Sequence, residues 1–247
     1  MNRVKINMKK KNVLIFGAQG LIGRQLYLCN KLNKEYNIIG LDLKNNLNKK
    51  IIKINTLDEK KLIKKLNEIH KVYGKIYASV NVTFPKVLQR NNPPKINSKV
   101  FSKEFSNHVC SFLNTTQTMC EYFIKKNIKG RIINFASIYG NFTPRFEIYK
   151  NTGMNLPLQY TVSKSSIITL TKYFSKFFLK KKININTISP GGVFDYQHKV
   201  FLRNYKKFCA NGMLKNNDLN GVVQFLLSNN SKNLYGQNIV VDDGFTL

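Results

Sequence analysis

Residues 10–43, KKNVLIFGAQGLIGRQLYLCNKLNKEYNIIGLDL, decide the fold. The stretch opens on a short apolar run, "NVLIF" at 12–16, closed by Gly17, which suits a buried strand. Gly17, Gly20 and Gly23 follow as G-x-x-G-x-x-G, with Leu21 and Ile22 between the last two. Such a turn lets backbone approach a pyrophosphate, and the next helix offers its free N–H groups to the anion. "LIGRQLYLCNKLNKEY" places apolar residues at helical spacing, predicting one helix over 21–36, and "NIIGLDL" is a second strand carrying Asp42 near its end. A carboxylate about 20 residues past the glycines accepts hydrogen bonds from adenosine ribose hydroxyls and repels a 2′-phosphate. Taken singly, the glycines also fit a plain strand–turn–helix junction and Asp42 a strand-end cap. Together they favour a dinucleotide site that prefers NAD, with NADP left open because Lys44 is near.

Outward from this unit the same alternation continues. "KIIKIN" (50–55), "KIYASVNV" (75–82), "GRIINFAS" (130–137), "ININTIS" (183–189) and "GQNIVVDD" (236–243) read as strands. Helices are predicted over 58–73, about 103–126, about 158–181 and 217–228. Strands alternating with helices imply right-handed crossovers, hence an α/β, doubly wound, mostly parallel seven-stranded sheet flanked by helices. One Rossmann-type domain over 1–247 is expected, with 1–10 as a loose extension. The long irregular stretch is 138–157, and loops of that length are usually functional.

Composition bounds the function. At 247 residues and 43% hydrophobic, the chain can bury one substantial core. The formal charge of +29 invites a nucleic-acid reading, but the lysines spread through almost every segment, and lysine, asparagine and isoleucine are over-used together. That is the mark of compositional bias, so nucleic acid is not the expected partner. Four scattered cysteines and three isolated histidines signal neither disulfides nor a metal site. The apolar run after Lys9, Lys10 and Lys11 superficially resembles a signal peptide, yet its glycines have the spacing described above. A cytoplasmic protein with no membrane segment is expected.

Tyr160 and Lys164, in "QYTVSKSSIITL" (159–170), stand four apart on a predicted helix and share a face. An ammonium beside a phenol stabilises the phenolate and makes it usable as an acid or base. In a lysine-rich chain this spacing also arises by chance, so its neighbours matter: one strand ends in "NFASIYG" and a later one in "NTISPGGVFD".

These blocks, in this order, resemble the short-chain dehydrogenase/reductase family over nearly the whole chain. "QYTVSKSSIITLTKYFSK…ININTISPGG" looks like the family's Tyr-x-x-x-Lys helix with its Asn-x-x-x-Pro-Gly strand, and "GQNIVVDDGFTL" like its final strand. The resemblance implies an NAD(P)-dependent oxidoreductase interconverting a hydroxyl and a carbonyl. Tyr160 would then move the proton, Lys164 would hold the nicotinamide ribose, Ser137 would bind the substrate oxygen, and Asn107 would anchor a relay water. It also carries Gly17, Gly20, Leu21, Ile22, Gly23, Asp42, Asn55, Asn81, Pro190, Gly191 and Val193 to the cofactor. Departures are "NVTF" (81–84) for Asn-Asn-Ala-Gly, Asn55 for a frequent aspartate, and Asp195 for a frequent threonine.

The long 138–159 interval and "NVTFPK" resemble a subgroup tied to flagellin modification and surface-sugar biosynthesis, so a sugar or amino-sugar derivative is expected. Arg145 and Lys150 would contact its phosphate or carboxylate or lie solvated in a basic loop; Tyr139 and Tyr149 would stack on the sugar or pack the loop. The resemblance further implies a homodimer or homotetramer. A sugar epimerase or dehydratase holding NAD tightly, and a non-catalytic dinucleotide-binding homologue, remain the alternatives.

Overall fold

A computed structural model describes residues 10–44, 51–85 and 95–247. Most of the expected loose extension at 1–10, and Lys50 at the head of the predicted third strand, lie outside them. The strands are β1 (Lys11–Phe16), β2 (Tyr36–Asp42), β3 (Ile52–Lys53), β4 (Ile76–Asn81), β5 (Arg131–Phe135), β6 (Asn184–Pro190) and β7 (Asn238–Val241). They form one seven-stranded sheet in the order β3-β2-β1-β4-β5-β6-β7, parallel throughout. The helices are α1 (Leu21–Leu28), α2 (Asn30–Glu35), α3 (Glu59–Tyr73), α4 (Ser98–Lys125), α5 (Leu158–Phe177), α6 (Lys199–Lys206) and α7 (Asn220–Leu227).

Side chains alternate faces along a strand, and both faces are covered. Val13 and Ile15 of β1 join Val80 and Ile133 under Leu26, Leu32 and Leu226 from α1, α2 and α7. Leu14 and Phe16 join Ile132 and Ile185 under Leu62, Leu66, Met119 and Phe123 from α3 and α4. The chain runs from β1 outward to β2 and β3, then returns to pair β4 on β1's other side, Phe16 opposite Asn81. A crevice opens where the strand order reverses.

Local chemistry sets the helix ends. Asp58 accepts from the Lys61 N–H at the start of α3, and Asn97 accepts from the Lys99 and Val100 N–H groups at the start of α4. That cap starts α4 five residues earlier than predicted. The predicted 21–36 helix is broken at Cys29, whose backbone is extended; the Asn33 amide takes the Tyr27 and Cys29 carbonyls left at the break. The predicted 158–181 helix is α5 plus a separate 3₁₀ turn at Leu179–Lys181. The irregular 138–157 stretch holds two 3₁₀ turns, Ile138–Gly140 and Phe146–Tyr149. Among the described residues no helix is long and apolar enough to cross a membrane, and no group of three metal-ligating side chains gathers.

Candidate active site

A cleft of about 950 Å³ lies over the carboxyl ends of β1, β4, β5 and β6. Its size is at the upper end of small-molecule sites. One end is the glycine turn. Gly17 has φ +85°, and a Cβ there would press on the Val82 and Thr83 backbone at 3.0 Å. A Cβ on Gly23 would collide with the Gly17 carbonyl, so Gly23 underlies the turn and does not line the cleft. Gly20 caps α1 without a side-chain partner, leaving the first N–H groups of that helix to a ligand. Gly17, Gly20, Leu21, Ile22, Asp42 and Asn55 all line this end. Asp42 Oδ2 accepts from the Gln19 N–H at 2.9 Å, while Gln19 Nε2 donates to the Lys44 carbonyl. A carboxylate can accept about four hydrogen bonds, so Asp42 keeps capacity for ribose hydroxyls. A backbone cradle that a Cβ would fill, an uncapped helix and a carboxylate at the strand end fit a dinucleotide.

The other end gathers Asn107, Ser137, Tyr160 and Lys164. Ser137 follows β5, caps the Ile138–Gly140 turn and accepts from the Tyr139 N–H at 3.2 Å. Lys164 is 5% exposed and donates to the Phe135 carbonyl at 2.9 Å; its ammonium lies 5.7 Å from the Tyr160 ring centre. Burial pushes the Lys164 ammonium from 10.5 down to about 7. Burial raises the Tyr160 phenol above its ordinary value, and a hydrogen bond from Ser137 opposes that rise. Helix α5 starts without a side-chain cap, but Gln159 Nε2 donates to buried Glu104 of α4 at 2.5 Å, fixing the turn that presents Tyr160. Pro190 at the end of β6, with Gly191 and Val193 just after it, closes the cleft.

Beyond Tyr160 lies an aromatic lobe. Tyr139 and Tyr149 line it, joined by Phe84, Met154, Phe201, Tyr205 and Met213, which sequence reading missed. Burial raises both expected tyrosines, Tyr149 to about 12. The lobe hangs on α6: the Tyr205 hydroxyl accepts from the Gly192 N–H at 2.7 Å, and its ring stacks on Phe245 at 4.2 Å. The spacing of Phe201 and Tyr205 in "KVFLRNYK" was the available signal, diluted by basic residues in a short helix.

Two expectations are corrected. Arg145 faces away from the cleft: its guanidinium lies 4.6 Å from the Phe208 ring centre and donates to the Leu247 carbonyl at 3.3 Å, tying the 138–157 loop to the chain end. Lys150 is exposed and outside the cleft lining, the solvated one of the two alternatives left open for it. Asn81 does not line the cleft either. Its Oδ1 accepts from Thr83 N and Oγ1, and its Nδ2 donates to Thr115 Oγ1 at 2.7 Å, so the amide braces the turn from within.

Comparison with known proteins agrees with this geometry. Residues 23–246 match the family model described as Enoyl-(Acyl carrier protein) reductase. Post-translational flagellin modification protein A of Campylobacter coli is 32% identical over 97% of this chain and 100% of its own length. A 2-dehydro-3-deoxy-D-gluconate 5-dehydrogenase of Dickeya dadantii is 26% identical over 70% of this chain and 66% of its own. The crystal structure of a short-chain dehydrogenase from Leptospira borgpetersenii with bound NAD+ superposes with a TM-score of 0.84 at 28% identity, covering 100% of this chain and 98% of that one. With the parallel sheet, the glycine cradle and the Tyr160–Lys164 pair at one cleft, the chain belongs to the short-chain dehydrogenase/reductase family and is an NAD(P)-dependent oxidoreductase acting on CH–OH groups.

Proposed function

We propose that the chain interconverts a hydroxyl and a carbonyl on a sugar or amino-sugar derivative, using NAD in preference to NADP. The observation that carries this reading is the shared cleft, with Asp42 at one end and Ser137, Tyr160 and Lys164 at the other. Tyr160 gives its phenol proton to a carbonyl oxygen in reduction and takes the hydroxyl proton in oxidation. Lys164, when charged, stabilises the phenolate, and Ser137 donates to the same oxygen. Asn107 holds a water through which that proton exchanges with solvent. When bound, the nicotinamide exchanges a hydride with the substrate carbon. Asp42 selects against a 2′-phosphate by repulsion.

Full-length similarity to a flagellin modification protein supports the sugar class. So does the lobe: half-buried Tyr149, backed by the buried rings of Phe201 and Tyr205, offers a ring face to a sugar, and Asn155, Asp195 and Gln197 line the same cleft with polar groups. Incubation with NAD+ and a panel of sugars, amino sugars and their nucleotide derivatives tests this. One substrate should give stoichiometric NADH; a panel converted without net NADH points instead to an epimerase or dehydratase. A homodimer built on the outer aromatic face of α5, where Tyr173 is 65% and Phe177 69% exposed, completes the reading. Sedimentation of Phe177→Glu checks it: an unchanged dimer refutes the face.

A further inference from the structure

Phe84 stands where the chain leaves β4, between the cofactor end of the cleft and the reacting end. Its ring meets Tyr160 edge-on at 5.6 Å and His108 at 5.3 Å, and the Lys164 ammonium lies 5.9 Å from its centre. Phe112, beneath, completes an apolar box around that ammonium at 5.5 Å. Phe84 is nevertheless 53% exposed and lines the cleft, so one face seals the pair while the other meets solvent.

The turn that holds it is over-determined. Thr83 donates its hydroxyl to Asn81 Oδ1 at 2.7 Å, so Ser111 Oγ, 2.9 Å away, donates to Thr83; Thr56, 2.8 Å from Ser111, in turn donates to it. This directed chain of hydroxyls, with the Asn81–Thr115 bond at its end, fixes the backbone from which Phe84 projects.

We infer that Phe84 is a positioning residue: it excludes water from Tyr160 and Lys164 and thereby sets the pH range over which the pair exchanges a proton, an inference that rests on the proton-transfer role given above to Tyr160. Burial dominates the titration of both partners, raising the phenol and lowering the ammonium. Each shift opposes the charged pair, phenolate beside ammonium. A cover removed therefore moves both towards charge, and the ring's attraction for the cation at 5.9 Å is too weak to reverse that. The groups bearing on the pair are His108 from α4, Ser137 after β5, and Tyr139 and Tyr149 from the 138–157 loop, while Glu104 of α4 is held on Gln159 next to Tyr160 in the chain. His108 is buried with Nε2 unpartnered, and burial and the Lys164 charge hold its pKa well below the ordinary range, so it adds no competing charge near neutrality.

The test is titration of Tyr160 by nuclear magnetic resonance of isotopically labelled tyrosine Cζ, its signal assigned by its loss in Tyr160→Phe. Phe84→Ala should lower the Tyr160 midpoint by about one pH unit, and Phe84→Leu, which keeps apolar bulk, by much less. Acylation of Lys164, followed by mass spectrometry, should move its pH dependence upward in Phe84→Ala. An unmoved Tyr160 midpoint in Phe84→Ala, or an equal fall in both variants, overturns the inference. Because this titration needs neither cofactor nor turnover, it separates the two claims. A shifted midpoint in a protein that never oxidises a hydroxyl would sink the proposed reaction and keep the sealing role. In an active enzyme the acid limb of hydroxyl oxidation moves down with the midpoint, whereas a merely structural residue lowers turnover at every pH alike.

Discussion

The two ends of the cleft are built on different principles. The cofactor end is backbone: glycines without side chains, an uncapped helix, and one carboxylate at a strand terminus. The reacting end is side chain: a lysine, a tyrosine and a ring of aromatics gathered from β4, α4, β5, α5 and α6. A backbone site is written in contiguous residues, because only glycine tolerates the close approach. A side-chain site is assembled by the fold from distant segments, and its pH behaviour depends on burial that no short motif encodes.

Three substitutions sharpen or break that contrast. The largest effect belongs to Lys164→Met, which should cut turnover by roughly 10²–10⁴-fold while sparing cofactor affinity more than catalysis. The same change should stabilise the fold at low pH. Lys164 has a folded-state value near 7, below its ordinary 10.5, so the folded chain binds fewer protons between those limits. Stability therefore rises with pH across that window, and the burial cost stands in full below about pH 7. Lys164→Met should raise Tm at about pH 6 and lose the advantage as pH climbs. Equal Tm for both proteins at low pH would show that the ammonium carries no burial cost.

A smaller effect is expected at the backbone end. Asp42→Ala should narrow the proposed preference for NAD over NADP by about tenfold, as loss of a charge-assisted hydrogen bond allows. Competitive binding of the two cofactors measures it, and an unchanged ratio would remove Asp42 from ribose recognition. The smallest belongs to Arg145→Ala. With its guanidinium on Phe208 and Leu247, it should change KM by less than about twofold and cost about 1 kcal/mol or less. A tenfold rise in KM would return Arg145 to the substrate.

What the sequence made legible follows the same division. The succession of strands and helices along the chain, the glycine turn and the strand-end position of Asp42 were readable because periodicity and glycine spacing are local. Tyr160 and Lys164 were readable because four residues on a helix fix their neighbourhood. The direction of Arg145 was not: a basic residue in a long loop has no local signal for facing a chain end about a hundred residues away. Asn81 was misread because its amide finds partners in Thr83 and Thr115 that only the fold brings within reach. Phe84, Phe201 and Tyr205 carry the ordinary pattern of core aromatics, and only the open cleft beside them distinguishes them. The break at Cys29 depends on an Asn33 side chain competing for helix carbonyls, which apolar periodicity does not register.

The central claim is that the Tyr160 phenol exchanges the reacting proton beside a dinucleotide lodged on the glycine turn. Its most direct test compares Tyr160→Phe with the unaltered protein, measuring NADH affinity by fluorescence and turnover on the same samples. The account predicts affinity within about threefold and turnover lower by at least about 10²-fold, the minimum usual for loss of a general acid. Turnover near the unaltered level in Tyr160→Phe would contradict it.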